Sequence, residues 1–190
     1  MFLHSVEKAA KSKLFNKIIF VINKKNKKYI NSLHLRKIDI INGGINRSES
    51  SKIAVKYIQN KNFSYVFIHD SARPNFSIKL IKEIYLKLKK FDCVVPAIGT
   101  VDSVKYKINN KLNNLNRENI FLTQTPQGYK TKSLIKLQKK VSKKITDEAN
   151  LFISNNKKIK LINGEDDNFK ITKKSDIYRK LKMLGVKGLN

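Results

Sequence analysis

The hexapeptide His69-Asp70-Ser71-Ala72-Arg73-Pro74 follows a short apolar run, Tyr65 to Ile68, and sets a carboxylate three residues from an arginine. An aspartate that closes an apolar strand either caps the next segment or holds a hard cation such as Mg2+ against phosphate oxygens. Arg73 is correspondingly a surface charge or a planar fork for a phosphate. Gly43-Gly44 follows a second apolar run, as an ordinary strand-to-helix turn or a close approach to a ligand. Lys170, between Phe169 and Ile171, reads as a strand lysine pointing away from apolar neighbours. Asp102-Ser103, Gln124-Thr125-Pro126-Gln127 and Thr146-Asp147-Glu148 complete the set. These are glycines, hydroxyls, a carboxylate beside an arginine, and a lysine. They include no pair of His or Cys at metal-binding spacing and no nucleophile–base dyad. That inventory suits phosphate chemistry better than acyl transfer or redox chemistry.

Such residues need a scaffold, and the hydrophobic pattern supplies one by alternating between periods of two and of three to four. Val6 to Leu14 reads as the end of a helix, and Ile18 to Ile22, rich in β-branched residues, as a strand. Ile38 to Ile41 is a second strand. Ser48 to Ile58 fits a helix with Asn46 or Ser48 as N-cap. Tyr65 to Ile68 is a third strand. Ser77 opens an amphipathic helix with Ile78, Ile81, Ile84, Tyr85 and Leu88 on one face. Cys93 to Ile98 has the continuous apolar character of a strand covered on both sides of a parallel sheet. Between Thr100 and Asn119 the alternation breaks, and Val101, Val104, Tyr106 and Ile108 around Asn109-Asn110 predict a β-hairpin arm, with a disordered loop as the alternative. Helices are expected near Lys132 to Val141 and from Thr146-Asp147. Strands are expected near Ile159 to Ile162 and Phe169 to Ile171, and a final helix capped by Ser175. The whole predicts an α/β sandwich three layers thick, with ligands at the carboxyl ends of its strands.

Of the 190 residues, 41 are Lys or Arg and 14 are Asp or Glu, a formal net charge of +27. A charge that large usually accompanies a nucleic-acid or anionic-membrane partner. Only five of the basic residues are Arg, and the chain carries 24 Ile and 21 Asn against 6 Ala, the usage of A/T-rich codons. Base composition is therefore the favoured source of the charge, with nucleic-acid binding as the competing reading. Apolar stretches such as Cys93 to Ile98 are far too short to span a bilayer. The single Cys93 cannot form an intramolecular disulfide, and the first 17 residues lack a secretory pattern, so a cytoplasmic location is expected.

The order Gly43-Gly44-x-x-Arg47-x-x-Ser50, His69-Asp70-Ser71-Ala72-Arg73-Pro74, Asp102-Ser103-Val104-Lys105, Gln124-Thr125-Pro126-Gln127, Thr146-Asp147-Glu148-Ala149 and Asn168-Phe169-Lys170-Ile171-Thr172 resembles the 2-C-methyl-D-erythritol 4-phosphate cytidylyltransferase family, from His4 to Asp176. The resemblance implies a three-layer, Rossmann-like nucleotidyltransferase sheet in a single domain over 1–190, with the β-arm at about 100–120. It implies transfer of a cytidylyl group from CTP to methylerythritol phosphate, with ribitol phosphate as the alternative acceptor. Asp70 is then the ligand of Mg2+ or another divalent cation. Gly43, Gly44, Ser50 and Ser71 lie along the nucleotide, Lys170 offsets charge on the α-phosphate, and Arg73, Thr125 and Thr146 face the sugar phosphate. Ser103, where the family has Thr, and Arg117 fall on an arm that in this family crosses to the other subunit, so a homodimer with shared sites is implied. The family opens with a strand and a Gly-rich loop that wraps the triphosphate through backbone N–H groups and positive charge. Met1 here stands at the helix after that unit, so on the order of 30 residues are expected to be wanting. Little CTP turnover is expected from the chain as it stands.

Overall fold

The computed structural model describes residues 2–23, 25, 38–139 and 147–183. Helix α1 (Phe2–Lys11) leads into β1 (Ile18–Ile22), which pairs in parallel with β2 (Ile38–Asn42), Ile18 opposite Ile38. Helix α2 (Arg47–Ile58) starts one residue ahead of Ser48, and of the two cap candidates Asn46 serves, its side chain accepting the Glu49 N–H. Strand β3 (Tyr65–Ile68) and helix α3 (Ile78–Leu88) follow, the latter capped by Ser77, whose hydroxyl accepts the Leu80 N–H. The buried stripe of α3 is Leu80, Ile81, Ile84 and Leu88. It takes in Leu80, which the sequence reading left out, and leaves Tyr85 at the rim.

Strand β4 (Cys93–Gly99) is the centre of a second, five-stranded sheet, and its first five residues are buried. It is not a wholly parallel strand. It pairs antiparallel with β7 (Phe121–Thr123) and β8 (Gln127–Lys130), and parallel with β9 (Ile159–Asn163). Strand β8 also pairs antiparallel with β3, so it lies between β3 and β4. Alternate residues of these strands enter two cores. Cys93, Val95 and Tyr129 pack with Val55 of α2, with Leu134 and Leu137 of α4 (Thr131–Lys139), and with Phe152 of α5 (Ala149–Ile153). Val94 and Ile162 pack with α3 on the other face. These are the three layers the periodicity predicts. The arm is a hairpin of β5 (Val104–Ile108) and β6 (Lys111–Leu115), turned at Asn109 and Asn110 with φ of 46° and 65°. Asn tolerates that left-handed backbone, which matches the strand twist of a two-residue hairpin turn.

Three expectations need correction. Phe169 to Ile171 is irregular rather than a strand, because no neighbouring edge pairs with it among the described residues. Ser175 lies inside α6 (Lys174–Met183), and Asp176 does the capping by accepting the Thr172 and Lys173 N–H groups. The segment 140–146, with part of an expected helix and Thr146, lies outside the described residues.

Strands β1 and β3 do not pair with each other among the described residues. Two cavities lie where a strand between them would sit. One of about 390 Å3 is lined by Ile19 and Val21 of β1, Val66 and Ile68 of β3, and α2. The other, of about 240 Å3, is lined by Ile18, Phe20, Phe67 and residues of α1 and α3.

Candidate active site

Asp70 stands at the carboxyl end of β3, at the mouth of the larger cavity. Its carboxylate sits between two cations: Lys170 Nζ is 2.9 Å from Oδ2 and Arg47 Nε is 3.7 Å from Oδ1. Burial alone would raise the carboxyl's pKa. The hydrogen bond and charge of Lys170, with the charges of Arg47 and Arg73, outweigh that and hold it below the usual value. Asp70 is therefore ionised at neutral pH. The described residues hold no group of three His, Cys, Asp or Glu that could enclose a metal. A lone ionised carboxylate suits a hard cation that completes its shell with phosphate oxygens and water, as Mg2+ does. Asp70 is thus the residue fitted to hold it.

The backbone of Asp70 is held as firmly as its side chain. Its N–H donates to Thr125 Oγ1 at 3.0 Å, and its carbonyl accepts the Arg73 N–H at 2.9 Å. The Thr125 hydroxyl also lies 3.1 Å from His69 Nδ1, within hydrogen-bond reach. The other ring nitrogen, Nε2, faces Ser5 Oγ of α1 at 3.3 Å. Burial, opposed by the nearby Asp70 charge, pushes His69 down to about 4, so the ring is neutral.

Lys170 owes its position to a polar network. Buried Gln124 donates through Nε2 to the Glu165 carbonyl at 2.8 Å and accepts the Glu165 N–H at 3.0 Å. Buried Asn168 donates to the Thr125 carbonyl at 2.9 Å. The Ile171 N–H donates to the Ala72 carbonyl at 2.9 Å, so the lysine segment is stitched to the Asp70 loop. The direction of Lys170 comes from these ties, not from strand alternation. Arg73 serves the same end: its Nη atoms donate to the Asn168 and Thr123 carbonyls, at 2.8 and 3.5 Å. Its fork, set against the sugar phosphate by the resemblance, faces backbone oxygens in this structure. Thr125, placed against the sugar phosphate by the resemblance, is buried with its hydroxyl taken by Asp70 and His69.

Gly43, Gly44 and Ser50 come together at the start of α2. The Gly44 N–H donates to Ser50 Oγ at 3.1 Å, and the Gly43 N–H to the Ile22 carbonyl at 2.7 Å. A Cβ on Gly43 would stand 2.7 Å from Ser50 Oγ, which is why a residue without one sits there. Ser71 lines both cavities. Ser103 and Arg117 are held within the arm region, by Lys105 Nζ at 3.0 Å and through the Val101 carbonyl at 2.8 Å.

Two charged residues of the motifs, Arg47 and Glu148, also meet at the site. Arg47, in the first turn of α2, donates through both Nη atoms to Glu148, at 3.2 and 2.5 Å. Glu148 is fully buried. Its neighbour Asp147 accepts the Ala149 N–H at 2.7 Å and a Gln127 amide proton at 2.8 Å, which anchors the start of α5. Their presence in two motifs was legible; their meeting across 101 residues was not.

The family model for IspD, 2-C-methyl-D-erythritol 4-phosphate cytidylyltransferase, matches residues 1–184. The chain is 52% identical, over 93% of its length, to the bifunctional enzyme IspD/IspF of Pelagibacter ubique, and spans about half (48%) of that relative's length. It is 34% identical to 2-C-methyl-D-erythritol 4-phosphate cytidylyltransferase of Fusobacterium nucleatum, over 93% of this chain and 81% of the relative. Among solved structures, 4-diphosphocytidyl-2C-methyl-D-erythritol synthase of Anaerococcus prevotii superposes with a TM-score of 0.89 at 26% identity, covering 97% of this chain and 89% of that one.

Proposed function

The chain belongs to the 2-C-methyl-D-erythritol 4-phosphate cytidylyltransferase family, and from that premise we propose that it transfers a cytidylyl group from CTP to 2-C-methyl-D-erythritol 4-phosphate with release of pyrophosphate. The observation that carries this reading is the ionised Asp70 between Lys170 and Arg47 at the end of β3. A phosphate oxygen of the acceptor attacks the α-phosphorus in line with the departing pyrophosphate, so no side-chain nucleophile is needed. What the protein must supply is position and counter-charge. Asp70 would hold Mg2+, which screens the triphosphate and draws electron density from the α-phosphorus. Lys170, 43% exposed at its side chain, exchanges Asp70 for a phosphate oxygen as negative charge gathers there. Gly43, Gly44, Ser50 and Ser71 line the nucleotide side. Arg73 and Thr125 act from below, by fixing the Asp70 and Lys170 loops. Thr146, Ser103 and Arg117 are assigned to the acceptor phosphate through the resemblance.

The slot between β1 and β3 is assigned to a strand bearing a Gly-rich loop, which completes the sheet and the triphosphate cradle. The single domain over 1–190 is assigned to a homodimer through its arm, in the cytoplasm. Apolar side chains at the arm support that pairing: Val101, Ile108 and Leu112 are 84, 55 and 70% exposed. No described helix is long and apolar enough to cross a membrane.

The test is pyrophosphate release with CTP, Mg2+ and methylerythritol phosphate, with ribitol phosphate alongside. The chain is compared with a form extended ahead of Phe2 by a strand and a Gly-rich loop containing Arg and Lys. The extended form is expected to turn over methylerythritol phosphate in preference to ribitol phosphate, at orders of magnitude above the unextended chain. Lys170→Ala or Asp70→Ala in it should lower turnover by about 10²–10⁴-fold. No pyrophosphate from either folded form, or near-normal rates in both variants, overturns the reading.

A further inference from the structure

Asp70 is the proposed metal ligand, and a ligand works only if its carboxylate is presented in one orientation. Of its two neighbours, Lys170 is poorly suited to set that orientation. Its segment is anchored to the Asp70 loop, but its ammonium is a half-exposed point charge on a flexible stem, and it is the cation released toward phosphate in the proposed reaction. Arg47 has the opposite character. It stands in the first turn of α2, and both Nη atoms are forked onto Glu148, which holds the guanidinium in one orientation. The edge left over, Nε, is the one that faces Asp70 Oδ1 at 3.7 Å. Glu148 is fully buried in the turn before α5, and its charge is met by Arg47 alone among the ion pairs of the described residues.

We propose that the Glu148–Arg47 pair is a positioning device for the metal ligand: Glu148 locks the Arg47 guanidinium, and the locked guanidinium fixes the Asp70 carboxylate through Oδ1, leaving Oδ2 for Lys170 or for a cation. The proposal rests on the reading of Asp70 as the metal ligand. It makes Arg47 and Glu148 positioning residues, since neither needs to touch substrate.

The test reads metal binding directly. Mn2+ stands in for Mg2+, and free Mn2+ is followed by electron paramagnetic resonance with CTP present, in parallel with thermal melting. The double variant Arg47→Gln/Glu148→Gln removes both charges together, so no lone charge is left buried. Its apparent Mn2+ dissociation constant is expected to rise by about 10–100-fold. In an Asp70→Asn background the same pair of substitutions is expected to change that constant by less than about twofold, because the route through Asp70 is already gone. A lower melting temperature with an unchanged Mn2+ constant would make the pair a structural pin between α2 and α5, and overturns the proposal. So does an equal rise in both backgrounds. Mn2+ binding by the wild type that Asp70→Asn leaves untouched overturns the metal assignment itself, and this inference with it, and so separates the two failures.

Discussion

His69 has given up its ordinary basicity for a place under the site. Its ring packs edge-on against Phe76, with centroids 4.5 Å apart, and bridges Thr125 to Ser5 as a neutral imidazole. In the unfolded chain the same imidazole titrates near 6.5, and in the folded protein near 4. Between those values the unfolded state binds more protons, so stability is full above about pH 6.5 and falls as pH drops toward 4. The limit is about 3 kcal/mol for the group. Asp70 has its pKa lowered below the ordinary carboxylate value, so its own contribution is lost only at more acid pH, outside this window. Urea midpoints from pH 7 to 4.5 should decline, and His69→Gln should flatten the decline by keeping the two hydrogen bonds without a titrating ring. An unchanged slope would place the loss elsewhere. At this scale the sequence was informative about type and silent about pairing. Asp70 and Lys170 stood out as chemistry, yet only the structure sets them 2.9 Å apart.

Elements with a periodic signal or a continuous apolar run were readable, and those with neither were not. Helix α3 and strand β4 carry enough apolar residues to announce themselves. Strand β8 is Gln127-Gly128-Tyr129-Lys130, four residues without alternation, yet it lies between β3 and β4. What puts it there is close approach. A Cβ on Gly128 would come within 2.4 Å of Ile84 Cγ2 and 2.8 Å of Leu88 Cδ1, both on the fully buried stripe of α3. Gly128→Ala is therefore expected to overpack this contact and lower stability by about 1–3 kcal/mol, read as a drop in the urea midpoint at unchanged slope. A wild-type midpoint would mean that α3 moves aside freely. The Lys170 segment shows the converse error. Its apolar neighbours imitate a strand, but a strand needs an edge to pair with, and the segment is held instead by Gln124, Asn168 and Ala72.

At the scale of the molecule, the arm and the charge make different demands. Apolar residues on a two-stranded hairpin have no layer of their own to cover them. Replacing Ile108 and Leu112 by Asp is expected to convert a dimer to a monomer in sedimentation equilibrium, with the melting of the main domain little changed. A wild-type monomer would remove the proposed exchange of arms. The net charge of +27 is a property of composition, and a few basic residues have a defined place at the site: Arg47 on Glu148, Arg73 on two carbonyls, and Lys170 on Asp70. The sequence by itself determined the layered α/β architecture, the hairpin turn at Asn109-Asn110 and the chemical character of the site. Periodicity, turn residues and residue types are local properties that survive in a one-dimensional string. Only the tertiary structure decided that β8 enters the sheet between β3 and β4, that Arg73 and Thr125 brace the site from within, and that Glu148 locks Arg47 beside Asp70. Those outcomes depend on contacts between residues tens of positions apart, which exist only once the cores on both faces of the sheet have closed.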